Sequence, residues 1–97
     1  MRIIGRLSDP RMQITVFEND GRFPVQFERG GLTQIYRFRK GEGLGSLGEL
    51  RPHLDESFRA AVLEQFSAMQ RIHSAVLETI APSSDDDDPR DGLPNIV

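Results

Sequence analysis

The fold is decided by residues 12–39, which read MQITVFENDGRFPVQFERGGLTQIYRFR. Apolar and polar side chains alternate along this stretch, and a period of two residues is typical of a β-strand with one buried face. Asp20-Gly21 and Gly30-Gly31 interrupt the alternation. Such dipeptides favour two-residue hairpin turns, whose central positions need positive φ. The sequence therefore predicts three consecutive antiparallel strands.

The two turns also predict the register of the strands. The first turn pairs Val16 with Val25, so that the apolar side chains share one face, whereas a slip by one residue would oppose Thr15 to Val25. Pro24 has no N–H to donate, so we expect a bulge or a gap in pairing at this residue. The full set of predicted pairs is Val16–Val25, Ile14–Phe27, Phe27–Gln34, Val25–Tyr36 and Phe23–Phe38.

The flanking residues complete a predicted α+β domain over residues 1–81, with a sheet of three or four strands packed on one long C-terminal helix (ββββα). Residues 3–7 predict the fourth strand. Gly41 to Gly48 is expected to be a flexible connector. Ser46 and Glu49 have the spacing of a capping box, which predicts one short turn of helix ended by Pro52.

The long helix is predicted from Asp55, its N-cap, to Ala81. Its length of about 39 Å exceeds the roughly 26 Å of an eight-residue strand, so the helix should extend past the sheet. The exposed end should then need a second copy of the chain to cover it. We expect a homodimer with Val76, Leu77 and Ile80 near its centre. The apolar stripe consists of Phe58, Val62, Phe66, Met69, Ile72, Val76 and Ile80.

Residues 82–97 are polar and acidic, and we expect a disordered tail there. The run Asp85–Asp88 and the apolar tip at 93–97 resemble the C-terminal tail of bacterial single-strand binding proteins, although the terminal aromatic of that tail is missing. This resemblance implies that the acidic run competes for a basic face and that the tip recruits partners. A solubilising tail, or the acidic bias of a salt-loving organism, is the alternative. The order of four strands and a long helix is similar to that of the Pur-type and whirly-type single-strand binders.

Composition excludes several classes of function. The 97 residues contain no cysteine, which excludes thiolate chemistry, cysteine-based zinc sites and disulfides. The longest apolar run, residues 60–63, has four residues, and a membrane span needs about 18. We therefore expect a cytoplasmic protein without membrane contact.

No motif in the chain predicts catalysis, a cofactor or a metal site. Residues 43–48 match the G-x-G-x-x-G pattern, but that motif needs a parallel βαβ unit, which the predicted meander does not provide. His53 is expected at the surface and His73 partly buried. Glu49 and His53 are four residues apart, but Pro52 breaks the helix that would align them, and no acidic or histidine residue lies three or four positions from His73.

The charge distribution points to the outer face of the sheet, on the side away from the helix. Residues 1–40 carry eight basic and four acidic side chains, and residues 41–97 carry four and eleven, which gives +4 and −7. The outer face is therefore the candidate binding surface. Its candidate residues are Arg11, Phe17, Ile35, Arg37 and Arg39.

Three functions are compatible with these observations. The first is a non-catalytic binding or adaptor module for a protein partner of unknown identity, docked on the helix or the outer face. The second is a single-stranded nucleic-acid binder, with the arginines on phosphates and Phe17 stacking on a base. The third is a small enzyme or ligand-binding protein, which would need a deep cavity between the sheet and the helix, lined by His73 or Tyr36.

Overall fold

The computed structural model describes residues 1–80 of the chain. They form one antiparallel sheet of the order β1-β2-β3-β4, followed by helices. The predicted α+β class, with four strands and a long C-terminal helix, is confirmed. The elements are β1 (Arg2–Leu7), β2 (Gln13–Glu18), β3 (Arg22–Arg29), β4 (Leu32–Arg39), α1 (Leu47–Leu50), a 3₁₀ turn (Arg51–His53) and α2 (Glu56–Ile80).

The chain divides into two compact units. The first, Met1–Ser67, contains the sheet, α1, the 3₁₀ turn and the beginning of α2. The second begins at Ala68 and is described to Ile80, where it consists of the rest of α2. The predicted tail at 82–97 and the predicted domain boundary at residue 81 lie outside the described residues.

The predicted register is confirmed at every pair. Val16 lies opposite Val25, and Val25 lies opposite Tyr36 on the other side of β3. The two turns act as predicted, because Asp20 and Gly21 both have positive φ, of 51° and 76°. Gly30 and Gly31 also have positive φ. Turn chemistry and apolar pattern therefore specify the same register.

Pro24 coincides with a gap in the ladder between β2 and β3. Regular pairing ends at Val16–Val25 and returns only as an isolated bridge between Asn19 and Arg22. On the β4 side the ladder passes Pro24 without a shift. The peptide groups of Arg22 face β2, where the Arg22 N–H donates to the Asn19 carbonyl at 3.1 Å, so the nitrogen of Pro24 also faces β2. The missing donor therefore affects one ladder only.

β1 pairs with β2 and contains a bulge. The register shifts between Ile3 and Gly5, which leaves one extra residue on β1. Gly5 packs closely against α1, because a Cβ at this position would lie 2.6 Å from the Leu47 Cδ2 and would force that side chain to shift.

The connector at 41–48 is hydrogen-bonded along its length, so the expectation of a flexible linker is wrong. Gly41 and Leu44 exchange two backbone hydrogen bonds around Gly43, which has φ +79°. The Ser46 Oγ then accepts from the Glu49 N–H, and the Glu49 carboxylate accepts from the Gly45 N–H. The first bond is the predicted N-cap of α1, which begins where the sequence indicated. The second departs from a full capping box, because the Glu49 carboxylate accepts from Gly45 and not from the N-cap residue Ser46.

The core lies on one face of the sheet. Phe58 of α2 packs edge-on against Phe27, Tyr36 and Phe38, with ring centroids 5.5 to 6.3 Å apart. Asp55 caps α2, as predicted, because its Oδ1 accepts from the Phe58 N–H at 2.9 Å. The buried apolar side chains are Leu7, Met12, Ile14, Val16, Phe23, Val25, Phe27, Leu50, Leu54, Val62 and Phe66.

One buried polar side chain lies in this core. Gln34 donates to the Val62 carbonyl of α2 at 2.9 Å and accepts from the Tyr36 hydroxyl at 2.5 Å. Both hydrogen bonds satisfy an amide that burial would otherwise penalise. Gln34 therefore fixes α2 against β4.

Candidate interaction surface on the open face of the sheet

The second face of the sheet, which is the predicted outer face on the side away from the helix, is called the open face. The side chains of Leu47 and Phe58 and the backbone carbonyl of Val62 contact the opposite, core-bearing face. Alternation along the strands places eight apolar or basic side chains on the open face. These are Ile3, Arg6, Phe17, Arg22, Pro24, Ile35, Arg37 and Arg39.

Four of the five predicted site residues lie on the open face. Phe17 is half-buried and lies opposite Ile3 of β1. Ile35 of β4 is 44% exposed, and Arg37 and Arg39 of the same strand are exposed. The structure therefore brings together an apolar strip across β1 and β2 and two arginines on the edge strand.

Arg11, the fifth predicted residue, is not part of this surface. Its guanidinium donates to both carboxylate oxygens of Glu56, at 2.8 and 2.9 Å, at the beginning of α2. It also donates to both oxygens of Asp9. The prediction extended the alternation of β2 backward to Arg11, but β2 begins at Gln13 and Arg11 lies in the preceding turn.

Asp9 is the centre of this turn cluster. Its side chain is almost fully covered and accepts from the Arg11 backbone N–H at 2.8 Å as well as from two guanidinium groups, those of Arg11 and Arg59. Hydrogen bonds from Arg11 hold the pKa of Asp9 well below its usual range. The same guanidinium lowers the pKa of Glu56. Because Arg59 and Glu56 belong to α2, the cluster fastens the β1–β2 turn to the helix.

Sequence reasoning missed four residues of the open face, which are Ile3, Arg6, Arg22 and Pro24. Arg22 lies opposite Arg39 across β3 and β4, and the alternation of β3, followed back from Gln26, places Arg22 on this face. Arg6 lies opposite Thr15 and Ile3 opposite Phe17. Their orientation follows from the bulge in β1, which carries no clear signal in the sequence.

The open face is basic, and its arginines form no ion pair with the acidic residues of the described part of the chain. Within residues 1–80, no carboxylate lies within ion-pair distance of Arg6, Arg22, Arg37 or Arg39. Glu28 is the acidic residue that alternation places on the same face. Arginines without carboxylate partners can bind carboxylates or phosphates bidentately.

An open groove adjoins the same edge strand on the opposite side of the sheet. It has a volume of about 380 Å³ and is lined by Phe38 of β4 and by residues of the following turn and helices. The other lining residues are Glu42, Gly43, Leu44, Leu50 and His53. His53 is exposed, as predicted. Neither Tyr36 nor His73, the residues on which the enzyme alternative depended, lines this groove.

The second unit presents an exposed apolar stripe. Ile72, Val76 and Leu77 are 69%, 54% and 49% exposed, and Ile80 is 59% exposed. These include all three predicted dimer contacts. His73 lies between them on the helix and is exposed, so the expectation of a partly buried His73 is wrong.

Three comparisons with known proteins give no match. No protein-family model, no curated protein and no solved structure matches the chain. Among residues 1–80 there is no cluster of three metal-ligating side chains, and no helix in this part is long and apolar enough to cross a membrane.

Proposed function

We propose that the chain is a non-catalytic interaction module that docks a protein partner on the open face of its sheet. The observation that carries this proposal is the combination of Ile3, Phe17 and Ile35 with four arginines that have no carboxylate partners in residues 1–80. Arginine and exposed apolar side chains together are typical of the residues that dominate protein interfaces.

The charge of the open face favours a partner with an acidic surface. Complementary potentials accelerate encounter and discourage wrong partners. Self-association through this face is unfavourable, because Arg22 and Arg39 already lie opposite each other and a second copy would add further like charges.

Affinity capture with matched variants tests the proposal. The full chain is immobilised and exposed to nuclease-treated cell extract, beside the variants Ile35→Asp and Arg37→Glu. Arg71→Glu, which reverses an exposed charge in the second unit, is the control. We expect a protein that wild type and control retain and that both open-face variants lose at least about fivefold. Retention of the same proteins by all four chains would show that the open face is not the docking surface.

Single-stranded nucleic acid is the second candidate, because the same arginines could bind phosphates and Phe17 is an aromatic on this face. It is second because Phe17 is the sole aromatic among the open-face residues and is half-buried. Fluorescence anisotropy of labelled single-stranded DNA and RNA, at about 50 and 200 mM salt, measures whether the chain binds nucleic acid. A dissociation constant near micromolar that rises with salt would favour nucleic acid. Arg37→Ala should then reduce the slope of log binding constant against log salt concentration by about one. No binding at low salt would eliminate it.

We also propose that the module is a homodimer through the exposed stripe of α2. The stripe is self-complementary about the midpoint between Ser74 and Ala75. Antiparallel pairing there sets Ile72 level with Leu77 of the second copy, and His73 level with Val76. A symmetric dimer requires such a self-complementary patch.

Sedimentation equilibrium at tens of micromolar tests the dimer. Val76→Asp should shift the mass toward the monomer, because it places a charge in the stripe. Arg71→Asp, about 140° around the helix from Val76, should leave the mass unchanged. A wild-type chain that is monomeric at this concentration would contradict the dimer.

A further inference from the structure

The free edge of β4 is a second feature of the open-face region. β4 is the last strand of the sheet, and within residues 1–80 no strand pairs with it on the side away from β3. It has eight residues, contains no proline and shows no register shift against β3. A long, regular and unpaired edge is a template for the addition of another strand.

The direction of each peptide group in β4 follows from the hydrogen bonds. The Lys40 N–H donates to the Gly21 carbonyl at 2.9 Å, so every second residue back from Lys40 also faces β3. The odd-numbered residues, from Thr33 to Arg39, therefore direct their N–H and C=O groups outward. Their side chains lie on the open face, whereas Phe38 lies on the face that carries the core.

We infer that the partner of the proposed interaction module binds as an extended segment, which adds a fifth strand to the free edge of β4. This inference rests on the proposed function and specifies how the partner binds. Strand addition uses main-chain hydrogen bonds for affinity and side-chain pockets for specificity.

The two faces beside the edge determine the chemistry of the segment. On the open face, Arg37 and Arg39 would lie next to alternate residues of the added strand, and they have no carboxylate partners within residues 1–80. Those residues are therefore acidic. The residue between them points to the other face, next to Phe38, and enters the groove of about 380 Å³ lined by Leu44 and Leu50. That residue is therefore apolar, and the core of the motif is acidic–apolar–acidic.

A second copy of β4 is a poor occupant of the same edge. Antiparallel pairing of β4 with itself over residues 33–39 sets Arg37 opposite Ile35 and Arg39 opposite Thr33 of the second copy, so neither arginine gains an acidic partner. A segment with acidic residues at these positions gains cross-strand ion pairs that a second copy cannot supply.

The test uses the ¹⁵N-labelled full chain and the peptide acetyl-Thr-Val-Glu-Leu-Glu-Val-Thr-amide, whose near-palindromic sequence fits either strand direction. We expect dose-dependent shifts in the amide spectrum of β4 and slower hydrogen exchange at Thr33, Ile35, Arg37 and Arg39, which are the residues whose N–H groups face outward. The peptide with both Glu replaced by Lys should not bind.

Two variants and one control make the test specific. Ile35→Pro removes an outward N–H and leaves the ladder with β3 intact, because proline is tolerated at such edge positions; it should abolish the exchange protection. Arg37→Glu keeps the backbone and should weaken binding by about fivefold or more. Arg71→Glu should bind as wild type does.

The outcomes separate this inference from the proposed function. It is overturned if the peptide causes no shifts at millimolar concentration, if the shifts are confined to residues 68–80, or if Ile35→Pro binds as wild type does. If the peptide test fails but Arg37→Glu still loses the captured protein, the proposed interaction module is retained. Its partner then binds through a folded surface and not as an added strand. If the peptide binds and Ile35→Pro also loses the captured protein, both proposals hold.

Discussion

Arg11 and Arg37 are the same residue type in the same sheet domain, yet their surroundings differ completely. Arg11 donates four side-chain hydrogen bonds, to Asp9 and Glu56. Arg37 has no carboxylate within ion-pair distance in residues 1–80. The comparison teaches that a basic residue predicted on a sheet face is not evidence of binding until the acidic residues around it are known. The arginines of the turn stabilise the fold, and those of the open face are available for a partner.

The largest expected effect is the loss of the acid at the centre of the turn cluster. Asp9→Ala should lower the free energy of unfolding by about 2 to 3 kcal/mol, because hydrogen bonds to charged groups contribute about 1.5 to 3 kcal/mol. The substitution also leaves Arg11 and Arg59 close together without the carboxylate between them. Urea unfolding followed by circular dichroism measures the change. A loss below about 0.5 kcal/mol would mean that the cluster does not stabilise the fold.

Removal of Arg11 should have a smaller effect. Arg11→Ala should lower the free energy of unfolding by less than Asp9→Ala does, because Asp9 keeps a hydrogen bond to a backbone N–H and its contact with Arg59. Arg11→Lys is the matched variant, which keeps the charge but loses the planar guanidinium that binds two carboxylates. Its stability should lie between that of wild type and that of Arg11→Ala. Wild-type stability in Arg11→Ala would contradict the assignment of Arg11 to the fold.

A lower pH should remove the stabilisation that the turn cluster contributes and should not affect the arginines of the open face. The folded-state pKa of Asp9 is lowered from its ordinary value of 3.8, chiefly by hydrogen bonds from Arg11. A lowered pKa means that the stabilisation is complete above the unfolded-state pKa and is lost as the pH falls toward the folded-state pKa. Unfolding free energies measured between pH 7 and about pH 2 should therefore fall below about pH 4. Asp9→Asn should show a shallower decline, and an equal decline in both chains would assign the acid sensitivity to other groups.

The smallest expected effect on stability is at the open face. Arg37→Ala and Arg39→Ala should each change the free energy of unfolding by less than about 0.5 kcal/mol, as exposed residues without partners usually do. The same urea titration measures it. A loss above about 1 kcal/mol in either variant would erase the distinction between the two groups of arginines.

The register of the sheet could be predicted because local signals were sufficient. Asp20-Gly21 and Gly30-Gly31 fix the turns, and the alternation of Val16 and Val25 fixes the faces. The beginning of β2 could not be located by the same rule. The alternation of side chains in the sequence continues from Gln13 back to Arg11. In the structure, however, Arg11 donates to two carboxylates, those of Asp9 and of Glu56, which is 45 residues away in sequence.

The candidate site was predictable in part for the same reason. Phe17, Ile35, Arg37 and Arg39 belong to strands with regular alternation, so their shared face follows from the sequence. Arg6 and Ile3 depend on the bulge in β1, and the groove beside β4 depends on the packing of Leu44, Leu50 and His53. These features arise from contacts between distant segments and leave no period in the sequence.

The bulge in β1 has a consequence for assembly. Edge-to-edge growth into a filament needs two regular edges on every copy, so that each copy can join a neighbour on both sides. A bulge twists and interrupts an edge strand, and here it lies on the edge opposite to β4. A sheet with one regular edge can accept a single additional strand and then has no further place for growth. The asymmetry of the two edges therefore protects this small domain from fibre formation while one edge stays open.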